Sequence, residues 1–313
     1  MRALQFILLF FLSFSSHAFS DDTIVLPLND WPSQRLLSTI VGDKIEQLGF
    51  SVDYLPISSS NQLGALRKGF IHIQVETWQT YGDGEYSKAL QKGYIEDLGL
   101  HSAFGREDWW YPEYVEQLCP GLPSWQALKA CASIFSDGSR GSKGIYYTGP
   151  WNYRDAALIR ALELNFAIDR LANAEQLLQK LLQAKKHQKP IVMLHWSPDW
   201  VDLKIKGKFV EFPEFEPGCE NDPAWGINTR MLYDCGNPKE TLIKKTAWPG
   251  VKDKWPCVYA LMKQVNFTAD MISMASSLFG VEQKTEQQAK QIWLDKYAKQ
   301  SKAWLEFSCP ETQ

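Results

Sequence analysis

The residues of this sequence best placed to do chemistry are tryptophans. Trp31 stands in "LNDWPSQ", Trp78 in "VETWQT", Trp109 and Trp110 in "GREDWWYPEYV", and Trp196 in "MLHWSPDW". An indole face cleaves nothing, but its quadrupole attracts a methylated ammonium, a cation that donates no strong hydrogen bond. Each desolvated ring contributes about 0.5–2 kcal/mol. Four rings then supply roughly 2–8 kcal/mol, comparable with the ~8 kcal/mol of a micromolar site. Glu107, just before the paired indoles, adds an acid. Gly149 and Trp151, in "TGPWNY", lead into a helix whose free N–H groups suit a ligand carboxylate. Each of these residues also has an ordinary reading as packing, turn or solvated loop.

The elements that would position these residues alternate in type. "TIVLPL" has the β-branched bias of a strand, "SQRLLSTIVGDKIEQLG" the apolar spacing of a helix ending at glycine, and "FSVDYLPI" reads as a second strand. Leu63 to Gly69 reads as a helix and Ile71 to Val75 as a third strand, the start of a parallel sheet. After Pro112, "ASIFSDG" and "GIYYTGPW" read as strands, "NYRDAALIRALELN" and "ANAEQLLQKLLQAKKHQ" as helices, and "PIVMLHW" as a further strand. "KFVEFPE" then leads into a cysteine-bracketed loop and a C-terminal helical region. The simplest account is α/β, in two lobes. Trp31, Trp78 and Trp196 follow strand ends, where α/β proteins bind ligands, and Trp109–Trp110 fall where one lobe passes to the other.

Other function classes lack their residues. There is no G-x-S-x-G, H-E-x-x-H or dinucleotide fingerprint, and "GSRGSKG" lacks the G-K-[ST] ending of a phosphate loop. A hydrolase finds only His195 near Ser197 and Asp199. A sugar or aromatic-compound receptor would share the indoles but needs many Asp, Asn and Arg donors near the strand ends. The expectation is therefore a protein with no catalysis and no cofactor. Metal is also unexpected, because no C-x-x-C or H-x-x-x-H spacing exists.

Arg2, the uncharged run from Ala3 to Phe14 and the small residues Ser16 and Ala18 have the form of a cleaved export signal. That run is too short to span a bilayer, and no later segment approaches ~20 apolar residues. A formal net charge of −3 for the chain, one unit more acidic without Arg2, argues against nucleic acid or an anionic membrane as partner. Six cysteines in an exported chain read as disulfides. Cys119 and Cys131 bracket a turn and short helix, Cys219 and Cys235 bracket "ENDPAWGINTRMLYD", and Cys257 and Cys309 remain as the third pair, although other pairings are open.

The order of export signal, "NDW", "ETW", "WWYPEYV", "TGPWNYRDAALIRALEL" and "HWSPDW" resembles the substrate-binding proteins of glycine betaine and related quaternary-amine ABC transporters. The resemblance runs over nearly the whole mature chain. It implies a two-lobed type II periplasmic-binding-protein fold, with residues 1–20 a signal peptide, 21–110 and 211–313 one lobe, and 111–210 the other. It further implies a tryptophan cage in the cleft from Trp31, Trp78 and Trp196, with Trp110 as a fourth wall. The partners it implies are a membrane permease and its ATPase subunit, with the binding protein itself a periplasmic monomer that is not membrane-embedded. The segment "CENDPAWGINTRMLYDCGNP" departs from the plainer betaine binders and is similar to a subgroup that includes trimethylamine N-oxide binders.

Overall fold

The computed structural model describes residues 22–79, 84–151 and 153–309. The export-signal expectation, on residues 1–20, lies outside them. Nine strands are present among the described residues: β1 (Ile24–Leu28), β2 (Val52–Pro56), β3 (Ile73–Gln79), β4 (Glu96–Pro112), β5 (Gly144–Thr148), β6 (Phe166–Arg170), β7 (Val192–Ser197), β8 (Gly207–Phe209) and β9 (Thr241–Ala247). The first five elements are as the sequence pattern predicts. Between β1 and β2, the helix Pro32–Gln47 starts on a proline and buries Leu36, Leu37, Ile40, Val41 and Ile45 along one face. Gly49, at φ 89°, turns the chain beyond its end. A second helix, Gln62–Lys68, stops at Gly69 in the left-handed region.

The sheet is mixed rather than parallel. β1 and β2 pair in parallel by themselves, while β3, β9, β4, β7, β5 and β6 follow one another in a second sheet. In that sheet β3–β9, β4–β9 and β4–β7 are antiparallel, and β5 is parallel to both β6 and β7. Three of these strands were not legible as such. β4 is polar along much of its length, β6 follows a helix that ends at Ala161, and β9 lies in a Lys-rich stretch whose Lys245 is nevertheless buried. The expected strand at Ala132–Gly138 is instead a 3-10 turn, Ala132–Phe135. It continues the helix Trp125–Ala130 through local bonds such as Ile134 N–H to the Cys131 carbonyl, held close by the Cys119–Cys131 bridge.

Of the three apolar clusters among the described residues, the two largest define the lobes. One gathers β1, β3, β9 and the C-terminal helices around Phe267, Trp293 and Trp304. The other gathers β5, β6, β7 and the helix Ala174–Lys186 around Trp109, Tyr146 and Phe166. β4 runs through both: Gly105 pairs with Thr241 of β9, and the next residue, Arg106, pairs with Ser197 of β7. Trp109 and Trp110 are therefore inside the second core and not at a boundary loop. The Cys219–Cys235 segment also docks on that lobe, through Asn228 to the Ala161 carbonyl and Arg154 to the Tyr233 hydroxyl. The cysteines pair as the bracketing suggests: Cys119–Cys131, Cys219–Cys235 and Cys257–Cys309. No helix of the described residues is long and apolar enough to cross a membrane.

Candidate functional site

On the first lobe the site is built around Glu76. Alternation along β3 sends Glu76 and Trp78 to the same face. Trp31 caps the helix that follows β1, placing its indole beside them. One carboxylate oxygen, Glu76 Oε1, accepts from Trp31 Nε1 at 2.9 Å, Trp78 Nε1 at 2.8 Å and Ser33 Oγ at 3.0 Å. Both indole edges are thereby pinned while their faces stay available. Glu76 is fully buried, and its second oxygen, Oε2, has no hydrogen-bond partner among the described residues. Burial pushes its carboxyl up to about 7, against the lowering effect of the three donors. The Trp78 ring lies directly over Gly105, where a Cβ would stand 2.3 Å from its Cζ3.

The second lobe contributes Trp196, Trp151, Tyr153 and Glu107. Glu107 on β4 stands opposite Trp196 on β7 in the ladder. The Tyr153 hydroxyl donates to Glu107 Oε1 at 2.6 Å, and Trp151 packs edge-on to Trp196 with centroids 5.2 Å apart. Burial raises the Glu107 carboxyl to about 7; the Tyr153 bond opposes this and the neighbouring Glu76 charge adds to it. The two acids, one on each lobe, are thus near enough for their charges to act on each other. Trp31 and Trp196 both line a cavity of about 580 Å³ between the lobes. The lobes also meet where the Ser276 hydroxyl donates to buried Asp199, whose carboxyl is raised by burial.

Of the residues expected from sequence, Trp31 and Trp78 share Glu76 on one lobe, Trp196, Trp151 and Glu107 lie together on the other, and of these Trp31 and Trp196 line the cavity. Trp110 does not. It is 2% exposed, packed on His195 at 5.1 Å, and fills the space above Gly207. Trp151, folded over Gly149, stands beside Trp196 instead. Gly149 leaves room for that ring, since a Cβ there would lie 2.1 Å from it. The helix beyond begins only at Asp155, so its N-terminus does not follow directly on Gly149. His195 and Ser197 both hydrogen-bond Asp202, at 3.0 and 2.8 Å, and are not paired as base and nucleophile. Glu76, Ser33 and Tyr153 were missed by sequence reasoning. The i, i+2 spacing in "ETW" was the available signal for Glu76.

A family model described as the substrate binding domain of ABC-type glycine betaine transport systems matches residues 22–296. A trimethylamine N-oxide-binding protein of Pelagibacter ubique (strain HTCC1062) is 29% identical, over 98% of each chain. Among solved structures, an ABC-transporter choline-binding protein in complex with choline superposes with a TM-score of 0.70 at 17% identity, over 91% of each chain. A lactococcal protein in its closed, glycine betaine-bound form gives 0.66 at 17% identity, over 91% of this chain and all of that one. At those identities the structural likeness speaks for the two-lobed fold alone.

Proposed function

Since the chain belongs to the family of substrate-binding domains of ABC-type glycine betaine transport systems, we propose that it captures a small methylated ammonium compound between its lobes, in the periplasm, and hands it to a membrane permease driven by a separate ATPase. The observation that carries this reading is the pair of indoles, Trp31 and Trp78, pinned by their N–H edges to one buried acid. Their faces are left for a cation, and Trp196 with Trp151 supplies the corresponding surface on the other lobe.

Among methylated ammonium ligands the reading favours one without a carboxylate, trimethylamine N-oxide foremost. Two buried acids meet at the cleft, and a ligand carboxylate would face their charge in a dry site. A protonated Glu107, oriented by Tyr153, donates a hydrogen bond to an N-oxide oxygen. The lobes, with the chain passing between them near residues 105 and 241 rather than 110 and 211, close on the ligand because it touches both, and closure reports occupancy to the permease. The test is a titration of intrinsic tryptophan fluorescence with trimethylamine N-oxide, choline, carnitine, dimethylsulfoniopropionate, glycine betaine and sugars. Saturable binding of the N-oxide ahead of glycine betaine is expected. A sugar that binds when no methylated ammonium does would replace the proposal. Glycine betaine binding ahead of the N-oxide, with Glu107→Gln silent for both, would return the ligand to a carboxylate-bearing betaine.

A further inference from the structure

Glu76 has two differently employed oxygens. Oε1 collects three donors, two of them indole N–H groups, whereas Oε2 is buried and has no hydrogen-bond partner among the described residues. An acceptor that gathers three donors is built for negative charge, because each bond is stronger to a carboxylate than to a neutral acid. Among the described residues, no lysine or arginine forms an ion pair with Glu76. The charge is therefore left to be matched by whatever cation enters between the two indoles.

We propose that Glu76 is the positioning and charge-selecting residue of the site: Oε1 fixes the mutual angle of Trp31 and Trp78, and the carboxylate behind them, ionised when the ligand is bound, neutralises the methylated cation. Three donors on Oε1 favour the charged form once a cation stands beside it. The site thus has a charge that answers the ammonium. This inference rests on the reading that Trp31 and Trp78 hold the ligand. It adds that their hold depends on the acid behind them.

The experiment uses the full mature protein, tetramethylammonium as a cation with no oxygen, and trimethylamine N-oxide. Glu76→Gln keeps an acceptor for the indoles but removes the charge. It is expected to weaken tetramethylammonium at least about tenfold, and the N-oxide, which is neutral overall, by less. Glu76→Asp keeps the charge but withdraws it by one methylene; it is expected to weaken both ligands alike and shift tryptophan emission. Loss of indole positioning alone would leave the ratio of the two affinities unmoved in Glu76→Gln, and that result overturns the charge-selecting role.

A measurement on the wild type covers the case in which these variants do not fold. Burial holds the Glu76 carboxyl up at about 7 in the ligand-free protein, so at pH 6 it carries a proton that an ammonium between the indoles displaces; calorimetry at that pH in buffers of different ionisation enthalpy should show tetramethylammonium binding with net proton release. The groups facing Glu76 are Glu107 and Asp199, with His195 and Asp202 beyond Asp199, and His101 on the Val75 carbonyl of the same strand. Glu76→Gln should abolish most of the release and Glu107→Gln less of it. No proton release in the wild type overturns the inference. A wild type that binds neither probe overturns the underlying reading as well, which distinguishes the two failures.

Discussion

Gly105→Ala is a one-methyl test of whether Trp78 forms part of the binding surface. Gly105 is not in the left-handed region, so the backbone tolerates alanine there. Space is what it lacks. The new Cβ would stand 2.3 Å from Trp78 Cζ3 and 2.8 Å from Cε3, against the roughly 3.5–4.0 Å of carbon atoms in favourable contact. The ring must therefore move by an ångström or more. It cannot swing freely, because Nε1 is bonded to Glu76 at 2.8 Å, so the displacement either breaks that bond or tilts the indole off the cation. A neutral donor to a charged acceptor is worth about 1.5–3 kcal/mol, and a cation–π contact about 0.5–2 kcal/mol. Loss of part of either weakens ligand binding by about 1–2 kcal/mol, roughly tenfold. The assay is a fluorescence titration with trimethylamine N-oxide or tetramethylammonium, with a thermal melt to show that the lobes remain folded. Wild-type affinity with an unchanged emission maximum would refute the placement of Trp78 in the cage. Gly105→Ala with weak binding in a chain that still melts cooperatively, at a somewhat lower temperature, is the expected pair of results.

Trp78→Ala and Trp196→Ala should each weaken a trimethylammonium ligand by about 1–2 kcal/mol by calorimetry without unfolding the chain; affinity unchanged in both would remove the cage. Non-reducing peptide mapping of periplasmic material should recover Cys119–Cys131, Cys219–Cys235 and Cys257–Cys309, and Cys309→Ser, which opens the longest loop, should cost about 4 kcal/mol against about 3 for either short loop in the chain-entropy model. Glu76, Glu107 and Asp108 are each raised to about 7 by burial, so the folded chain holds protons that the unfolded chain has already released. These acids lose that contribution as the pH rises from their unfolded range through about 7; from pH 7 to 8 the buried His72 and His101, lowered to about 4 and about 3, are neutral in the folded chain and mostly neutral in the unfolded one, so the acids set the slope. The melting temperature of the ligand-free protein should therefore decline across that window, and a flat or rising profile would contradict these assignments.

What the sequence disclosed and what it hid follow from the range of the interactions involved. β1 and its following helix, the helices Gln62–Lys68 and Ala174–Lys186, and β7 carry their own periodicity, so each was legible in isolation. β4 and β9 do not. Their residues are buried by pairing with each other across more than a hundred positions, and neither segment alternates cleanly enough to announce itself. At the site, Trp31, Trp78 and Trp196 were found because each follows or ends a strand, a local signal. Trp110 misled because it stands beside Trp109 in a pair that looked like a hinge, whereas a strand running into the second lobe buries both. Trp151 and Tyr153 reach the site through a loop after β5, and only the tertiary fold shows that it folds back onto Trp196 and Glu107. Glu76 was overlooked for a different reason. An acid in a strand is unremarkable until two indole N–H groups are seen to share it.

The continuity of β4 through both cores also limits how the lobes can move. The chain leaves the first lobe at Gly105 and re-enters it at Thr241, and those two residues are paired in one ladder. The second lobe is thus suspended from a neck of two adjacent, mutually hydrogen-bonded strands. Such a ribbon resists sliding one strand past the other, because every ladder bond would have to break, but it bends and twists about its own length at little cost. Of the six ways one rigid body can move against another, the neck leaves few that are soft. If the cleft opens and closes as proposed, it does so by flexing that ribbon, with each pair of indoles carried along an arc fixed by the backbone and not by the ligand.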